Sequence, residues 1–410
     1  MMKALFRPRD PVLFFLTLLL TLMGLLFIFD AGYARSLASG YGPIPREFRA
    51  QLMYLPVSLF VAGLVASASS EKWRRWSKPL FWISFVALLL PMMPVVGVER
   101  NGAARWFKFG PLPEVQPAEF VKLTTILFLA AVFAGRKAWP SKIRRAKHWA
   151  DALDRIWIPK FKRLLPAFFV LAAVVLIEKE PDLGTGAVVA ATAFVMFVLG
   201  GATRKTLLYG GLLAVIGVGI LIAEEPYRLE RINVHAHRWD AANMDDLGYQ
   251  TVQSELAMAS GGLIGNGPGS GRAKHVLPAA TTDFVIATIG EEFGLVGMLV
   301  VIGALAALVL RLLWLAQRAP TQFAALVLGG TAAWIGIQSC VNIMMANGFL
   351  PAIGIPLPFI SSGGSSLIAL WMALGVCQAV LVPAPVRQRG NEVAPDRNGW
   401  RHRRTRLSRA

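Results

Sequence analysis

Asp283, in the run Thr281-Thr282-Asp283-Phe284, stands where a polar loop meets a long apolar stretch. A carboxylate at such a boundary is a candidate general base. Partial desolvation raises its proton affinity while nearby cations restrain the rise, and the two together can suit it to proton abstraction. The position also suits a helix N-cap, since Asp accepts backbone N–H bonds at a first turn, and periodicity alone favours the cap. Upstream, in QPAEFVKL, Glu119 and Lys122 lie three residues apart and share one helical face. An ionisable pair in an apolar run is costly unless it meets a polar cavity or pins two helices together, so both readings stand. Arg105 and Lys108, in NGAARWFKFG, offer a guanidinium and an ammonium suited to phosphate. Arg231, Gln250, Ser361 and Ser362 complete the candidate substrate-binding residues.

The elements that must position these groups are membrane helices. Of 410 residues, 55% are hydrophobic and 16% charged, which is a membrane composition. Apolar runs near 11–29, 52–68, 79–96, 117–134, 164–178, 184–200, 206–223, 295–316, 322–346 and 365–383 predict ten spans, and thus an all-α polytopic fold. The first run is too long for a cleaved signal core. The net charge of +18 would suggest a nucleic-acid partner in a soluble protein. Here the excess falls in the N-terminus and every second connection after it: 69–78, 136–163, 201–205, 311–321 and 386–410 are each net positive. That alternation places both termini in the cytoplasm, with anionic lipid rather than nucleic acid as the counter-charge. Residues 1–385 thus form the membrane domain, and 386–410 a basic, disordered cytoplasmic tail.

Two outer segments stand apart. Residues 224–283 make an unusually long loop, in which GYQTVQSELAMAS predicts a helix with Val252, Leu256 and Ala259 on one side, lying against bilayer or bundle. The glycine-rich Gly265–Gly271 run that follows reads as a hinge or turn, not a nucleotide loop. Residues 347–366 contain an uncharged, Pro- and Gly-broken stretch typical of a re-entrant loop, with an apolar flank that could admit a long lipid chain. Cys340 and Cys377 lie in apolar runs and read as packing, with no disulfide. His235, His237 and His275 share the long loop and read as solvated residues rather than a zinc site.

NGAARWFKFG with QPAEFVKL, EPDLGTG, RINVHAHRW with GYQTVQSELAMASGGLIGNGPG, LPAATTDFVIATIGEEFGLVG and GIPLPFISSGGSSL occur in this order along the chain. Together they resemble the shape, elongation, division and sporulation family of bacterial membrane proteins, to which RodA and FtsW belong. The resemblance implies a peptidoglycan glycosyltransferase in the bacterial cytoplasmic membrane, polymerising lipid II outside it and releasing undecaprenyl diphosphate. It maps the family's essential carboxylate onto Asp283, its charged pair onto Glu119 and Lys122, and its arginine onto Arg105. It further implies a class B penicillin-binding transpeptidase as partner. The departing diphosphate needs cations, for which Arg105, Lys122 and Arg231 are candidates, as is a divalent ion such as magnesium or manganese. A lipid II flippase is the alternative function.

Overall fold

A computed structural model describes residues 8–40, 42–100, 103–110, 113–135, 158–224, 226–244 and 248–382; the basic tail and most of the 136–163 loop lie outside them. In chain order the elements are α1 (Pro11–Ala38), α2 (Arg46–Ala66), α3 (Ser70–Ala87), strands β1 (Gly97–Arg100) and β2 (Ala103–Phe107), α4 (Pro117–Phe133), α5 (Ile158–Lys179), α6 (Leu183–Leu199) and α7 (Arg204–Glu224). The long loop carries α8 (Pro226–Ala236), α9 (Ala241–Met244), α10 (Tyr249–Gly261) and α11 (Ala273–Val276). The chain then continues through α12 (Val285–Gln317), α13 (Gln322–Ala346) and α14 (Gly364–Val380).

Among the described residues, ten helices reach 17 residues or more, one for each predicted apolar run. Four of them, α1, α2, α12 and α13, are long and apolar enough to cross a membrane by length and composition. The apolar α6 and α14 have 17 residues each, about 25 Å of helix. Helix α4 is buried along nearly its whole length and packs against α3, α6, α13 and α14, so the polar groups it carries face protein.

Helix α1 starts where Pro11 follows Asp10, whose Oδ1 accepts the Leu13 amide at 2.7 Å. Asp10 also pairs with Arg311, while its backbone exchanges two hydrogen bonds with the Gln378 side chain (2.9 and 2.8 Å). The start of α1 and the far ends of α12 and α14 therefore share one end of the bundle. At the opposite end α1 runs nine residues past the predicted span, and Arg35 donates to the Leu277 and Pro278 carbonyls (2.5 and 2.9 Å). That contact puts the end of the long loop on the side away from Asp10.

Several expectations need correction. The third predicted span, 79–96, is displaced: α3 begins at Ser70, capped by Ser69, and ends at Ala87. Pro91 and Pro94, three residues apart, each remove a backbone donor, and residues 88–96 form turns in place of helix. These lead into an antiparallel hairpin, β1 on β2, which apolarity gave no sign of. Gly97 allows it, because a Cβ there would lie 2.1 Å from the Pro91 carbonyl oxygen. On α10, Val252 is buried, but Leu256 is 46% exposed and Ala259 is exposed too. The packed face is Thr251, Val252, Ser254, Ala257 and Gly261, turned toward the bundle rather than lipid. Small residues win there because the approach is close: a Cβ on Gly261 would come within 2.0 Å of the Gly290 carbonyl oxygen.

The glycine run after α10 is a fixed turn that mends a broken helix. Helix α12 is interrupted at Gly294, whose φ of 65° and ψ of −164° suit only glycine. Across the break, Leu295 and Val296 donate to the Gly262 and Leu263 carbonyls (2.9 and 3.1 Å), while Asn266 and Gly267 donate to the Glu291 and Glu292 carbonyls (2.9 and 3.0 Å). Buried Glu291 and Glu292 then hold the next stretch. Their carboxylates accept the amides of Gly269, Gly271, Arg272 and Ala273 (2.8–3.1 Å) and the Lys274 ammonium at 2.7 Å. Four backbone groups beside the break thus find partners in protein, as membrane depth requires.

This account predicts different outcomes for two glycines of one helix. Gly294→Ala adds backbone strain and puts a Cβ 2.5 Å from the Gly265 nitrogen, whereas Gly303 has nothing within 4 Å. Thermal unfolding in detergent should show Gly294→Ala destabilised by about 1–3 kcal/mol or more, with Gly303→Ala equal to or above wild type.

Candidate active site at one mouth of the bundle

The segment Thr281-Thr282-Asp283 is gripped by its backbone. Ser362 N donates to the Thr281 carbonyl (2.9 Å), Ser361 Oγ to the Thr282 carbonyl (2.5 Å), and Asn342 Nδ2 to the Asp283 carbonyl (2.8 Å). Three consecutive carbonyls are thus bonded to partners on α13 and the 347–366 loop. The N-cap of α12 is Phe284, with no side-chain cap hydrogen bond, so Asp283 does not serve as the cap that periodicity favours. Its carboxylate is half-buried, and the backbone of Gly354 passes so close that a Cβ there would lie 3.6 Å from Oδ2. Burial raises the Asp283 pKa to about 6, with the Arg105 charge restraining the rise and Asp182 adding to it.

The middle of the 347–366 segment is packed into the bundle, while Phe349 before it is exposed. Ile355, Leu357, Phe359 and Ile360 are buried at 2% exposure or less. Gly24 of α1 lets the loop approach, since a Cβ there would sit 2.4 Å from the Phe359 carbonyl oxygen. Its backbone is satisfied from several sides. Asn342 also donates to the Ile355 carbonyl (2.7 Å), Gln338 to Pro356 (2.8 Å) and Arg231 to Ala352 (2.7 Å), while Gly363 N donates to Gln51 Oε1 (3.1 Å).

Beneath the loop lies the α4 pair. Lys122 Nζ donates to Glu119 Oε1 (2.7 Å) and Gln338 Oε1 (3.1 Å), and the indole of Trp334 donates to the same Gln338 oxygen (2.7 Å). Glu119 and Lys122 are each 2% exposed. They face protein, and among the described residues the hydrogen bond to Gln338, one helical turn before Asn342, links them toward the mouth. On the other flank, Arg105 of β2 donates to the carbonyls of Glu180 and Pro181, in the turn between α5 and α6. Asp182 caps α6, accepting Thr185 N at 3.1 Å and Gln116 Nε2 at 2.9 Å.

Asp283 and Arg105 are therefore brought together with Ser361 and Ser362. Glu119 and Lys122 form a layer behind them, and Arg231 anchors the loop. Lys108 is exposed at the end of the hairpin and Gln250 is half-buried on α10; neither joins the hydrogen-bonded network around Asp283 among the described residues. Gln338, Asn342, Gln116 and Asp182 were missed by sequence reasoning. Gln338 and Asn342, four residues apart in an apolar span, carried a signal, because polar side chains at membrane depth need a reason. Among the described residues no group of three or more His, Cys, Asp or Glu side chains is arranged to hold a metal ion.

Bundle and mouth define the class: a multi-pass helical membrane protein with a carboxylate and a guanidinium at one membrane face. The cell cycle protein family model of FtsW, RodA and SpoVE matches residues 11–383. The chain is 34% identical over 372 residues to stage V sporulation protein E of Bacillus subtilis, covering 90% of this chain and 95% of that protein. It is 35% identical over 375 residues to the probable peptidoglycan glycosyltransferase FtsW of Allochromatium vinosum, covering 90% and 88%. Two solved structures share the fold at 29% identity and cover 91% of this chain. One is from a peptidoglycan synthase complex that coordinates polymerization and crosslinking (TM-score 0.70, 97% of that chain); the other is the rod shape determining protein RodA of Thermus thermophilus (TM-score 0.63, 96%). The chain belongs to the FtsW/RodA/SpoVE family of cell cycle proteins.

The buried α4 pair supplies a test. Lys122→Met leaves Glu119 charged and uncompensated, and should cost about 3–5 kcal/mol in thermal unfolding, whereas Glu119→Gln with Lys122→Met should recover most of that loss. A double variant as unstable as the single one would show that Lys122 acts mainly through partners other than Glu119.

Proposed function

We propose that this peptidoglycan glycosyltransferase polymerises lipid II at the outer face of the bacterial cytoplasmic membrane, with Asp283 as the general base. Ten membrane crossings with both termini inside, the 224–283 loop outside and 386–410 a cytoplasmic tail belong to this reading. The observation that carries it is a carboxylate with its backbone clamped and its side chain spared from capping, beside an arginine.

A sugar 4-hydroxyl is a poor nucleophile until its proton leaves. In the proposed step that proton passes to Asp283 as the oxygen forms its bond to the anomeric carbon of a second lipid II. The bond from that carbon to the diphosphate breaks, and the electron pair stays on the departing undecaprenyl diphosphate. Arg105 is the cation placed to stabilise that charge. Gly354, Ser361 and Ser362 position the base, and Glu119 and Lys122 act at one remove through Gln338. A class B penicillin-binding transpeptidase is the proposed partner, supported by the similarity to a chain from a synthase complex that couples polymerization to crosslinking.

Asp283→Asn tests the reading, because Asn keeps the size and cannot take the proton. With purified lipid II, the variant should keep its fold and partner binding and lose glycan polymerisation by about a hundredfold or more. Near-normal polymer yield would remove Asp283 as base. A protein that flips lipid II without polymerising it would show no polymer even as wild type.

A further inference from the structure

Glu180 is fully buried in the turn between α5 and α6, and among the described residues neither of its carboxyl oxygens has a hydrogen-bond partner. Burying an unpaired carboxylate is prohibitively costly, while burying the neutral acid is far less so. Its surroundings sharpen the point. Arg105 donates to the Glu180 backbone carbonyl, not to its carboxylate. Asp182, two residues on, is also buried, with one oxygen taken by Thr185 and the other by Gln116. Glu178, at the last turn of α5, pairs with Arg228 of α8. Across the mouth stands Asp283, within the electrostatic reach of both Arg105 and Asp182.

Three carboxyl groups thus share the field of Arg105, and a fourth pairs elsewhere. Asp182 and Asp283 already draw on the one guanidinium, so a further negative charge on Glu180, whose backbone carbonyl Arg105 holds, would take away more of the field left for an anionic ligand. We propose that Glu180 is a positioning residue that works as the uncharged acid, reserving the charge of Arg105 for the anionic oxygens of a bound diphosphate, so that loss of its proton shuts the site down. The proposal rests on the assignment of Arg105 and Asp283 above. Burial, with Asp182 adding to it and Arg105 opposing, raises the Glu180 pKa to about 9, which keeps the proton in place at neutral pH.

The sign follows directly: the active form is protonated, so activity is present below about pH 9 and falls as pH rises through it. The test is the ratio of initial lipid II polymerisation rates at about pH 10 and about pH 7.5, for the full-length protein and for Glu180→Gln. One unit above the pKa only about a tenth of the acid keeps its proton, so the wild-type ratio should fall about tenfold. Gln stays neutral, so the variant's ratio should stay within about twofold whatever its absolute rate. A wild-type ratio near one, or an equal fall in both proteins, overturns the proposal. Should the variant not fold, infrared spectra of the wild type decide. Loss of a protonated-carboxyl band between these two pH values supports the proposal, and no such loss overturns it. Failure of the Asp283 reading would show separately, as polymerisation by Asp283→Asn.

Discussion

The arrangement depends on three hydrogen bonds to three consecutive carbonyls. Thr281, Thr282 and Asp283 each give a carbonyl to a group on α13 or the 347–366 loop, which fixes the backbone while leaving the Asp283 side chain uncommitted. A base held through its main chain keeps its position as its protonation changes, because none of the three bonds involves the carboxylate. The restraint is mutual. The loop that supplies Ser361 and Ser362 lies deep in the bundle, where its own backbone must be satisfied by protein, and Asn342 serves both sides at once. Loop and Asp283 segment are therefore tied to one another through their backbones.

The same economy recurs one layer down. Glu119 and Lys122 form a buried ion pair whose desolvation is offset by its geometry and by Gln338, which passes the support on to the Pro356 carbonyl. On the far side of Asp283, the short helical stretch 285–293 ends at the Gly294 break, where Glu291 and Glu292 grip the turn leading back toward α11. Asp283 thus precedes a short stretch of helix fastened at both ends.

Much of this was legible in the sequence because membrane constraints are strong. Ten apolar runs became ten helices, Asp283 was singled out by charge at an apolar boundary, and Arg105 by its motif and a guanidinium suited to phosphate. The displaced α3 was not legible, because apolarity in 88–96 cannot be told from helix until Pro91 and Pro94 are weighed. The buried face of α10 was misread for a related reason. Hydrophobic periodicity favoured Leu256 and Ala259, whereas close backbone approach selected Ser254, Ala257 and Gly261. The repair of the α12 break was invisible to pattern, since it joins residues 262–267 to 291–296 through backbone groups alone, and the glycines read as flexibility instead of fit. Gln338 and Asn342 show the remaining gap: a neutral amide at membrane depth carries less alarm than a charge, yet here it does more of the positioning.

The central claim is that Asp283 acts as a base with its carboxyl proton affinity raised by burial. A base must be ionised to work, so activity is lost as pH falls through its pKa and regained as pH rises. The direct measurement is the initial rate of lipid II polymerisation by the wild-type protein between about pH 4.5 and pH 7.5. The account predicts a plateau above about pH 6 and a fall approaching tenfold per unit below it, with an inflection near the raised Asp283 pKa of about 6. A rate that stays flat down to about pH 4.5 would contradict it.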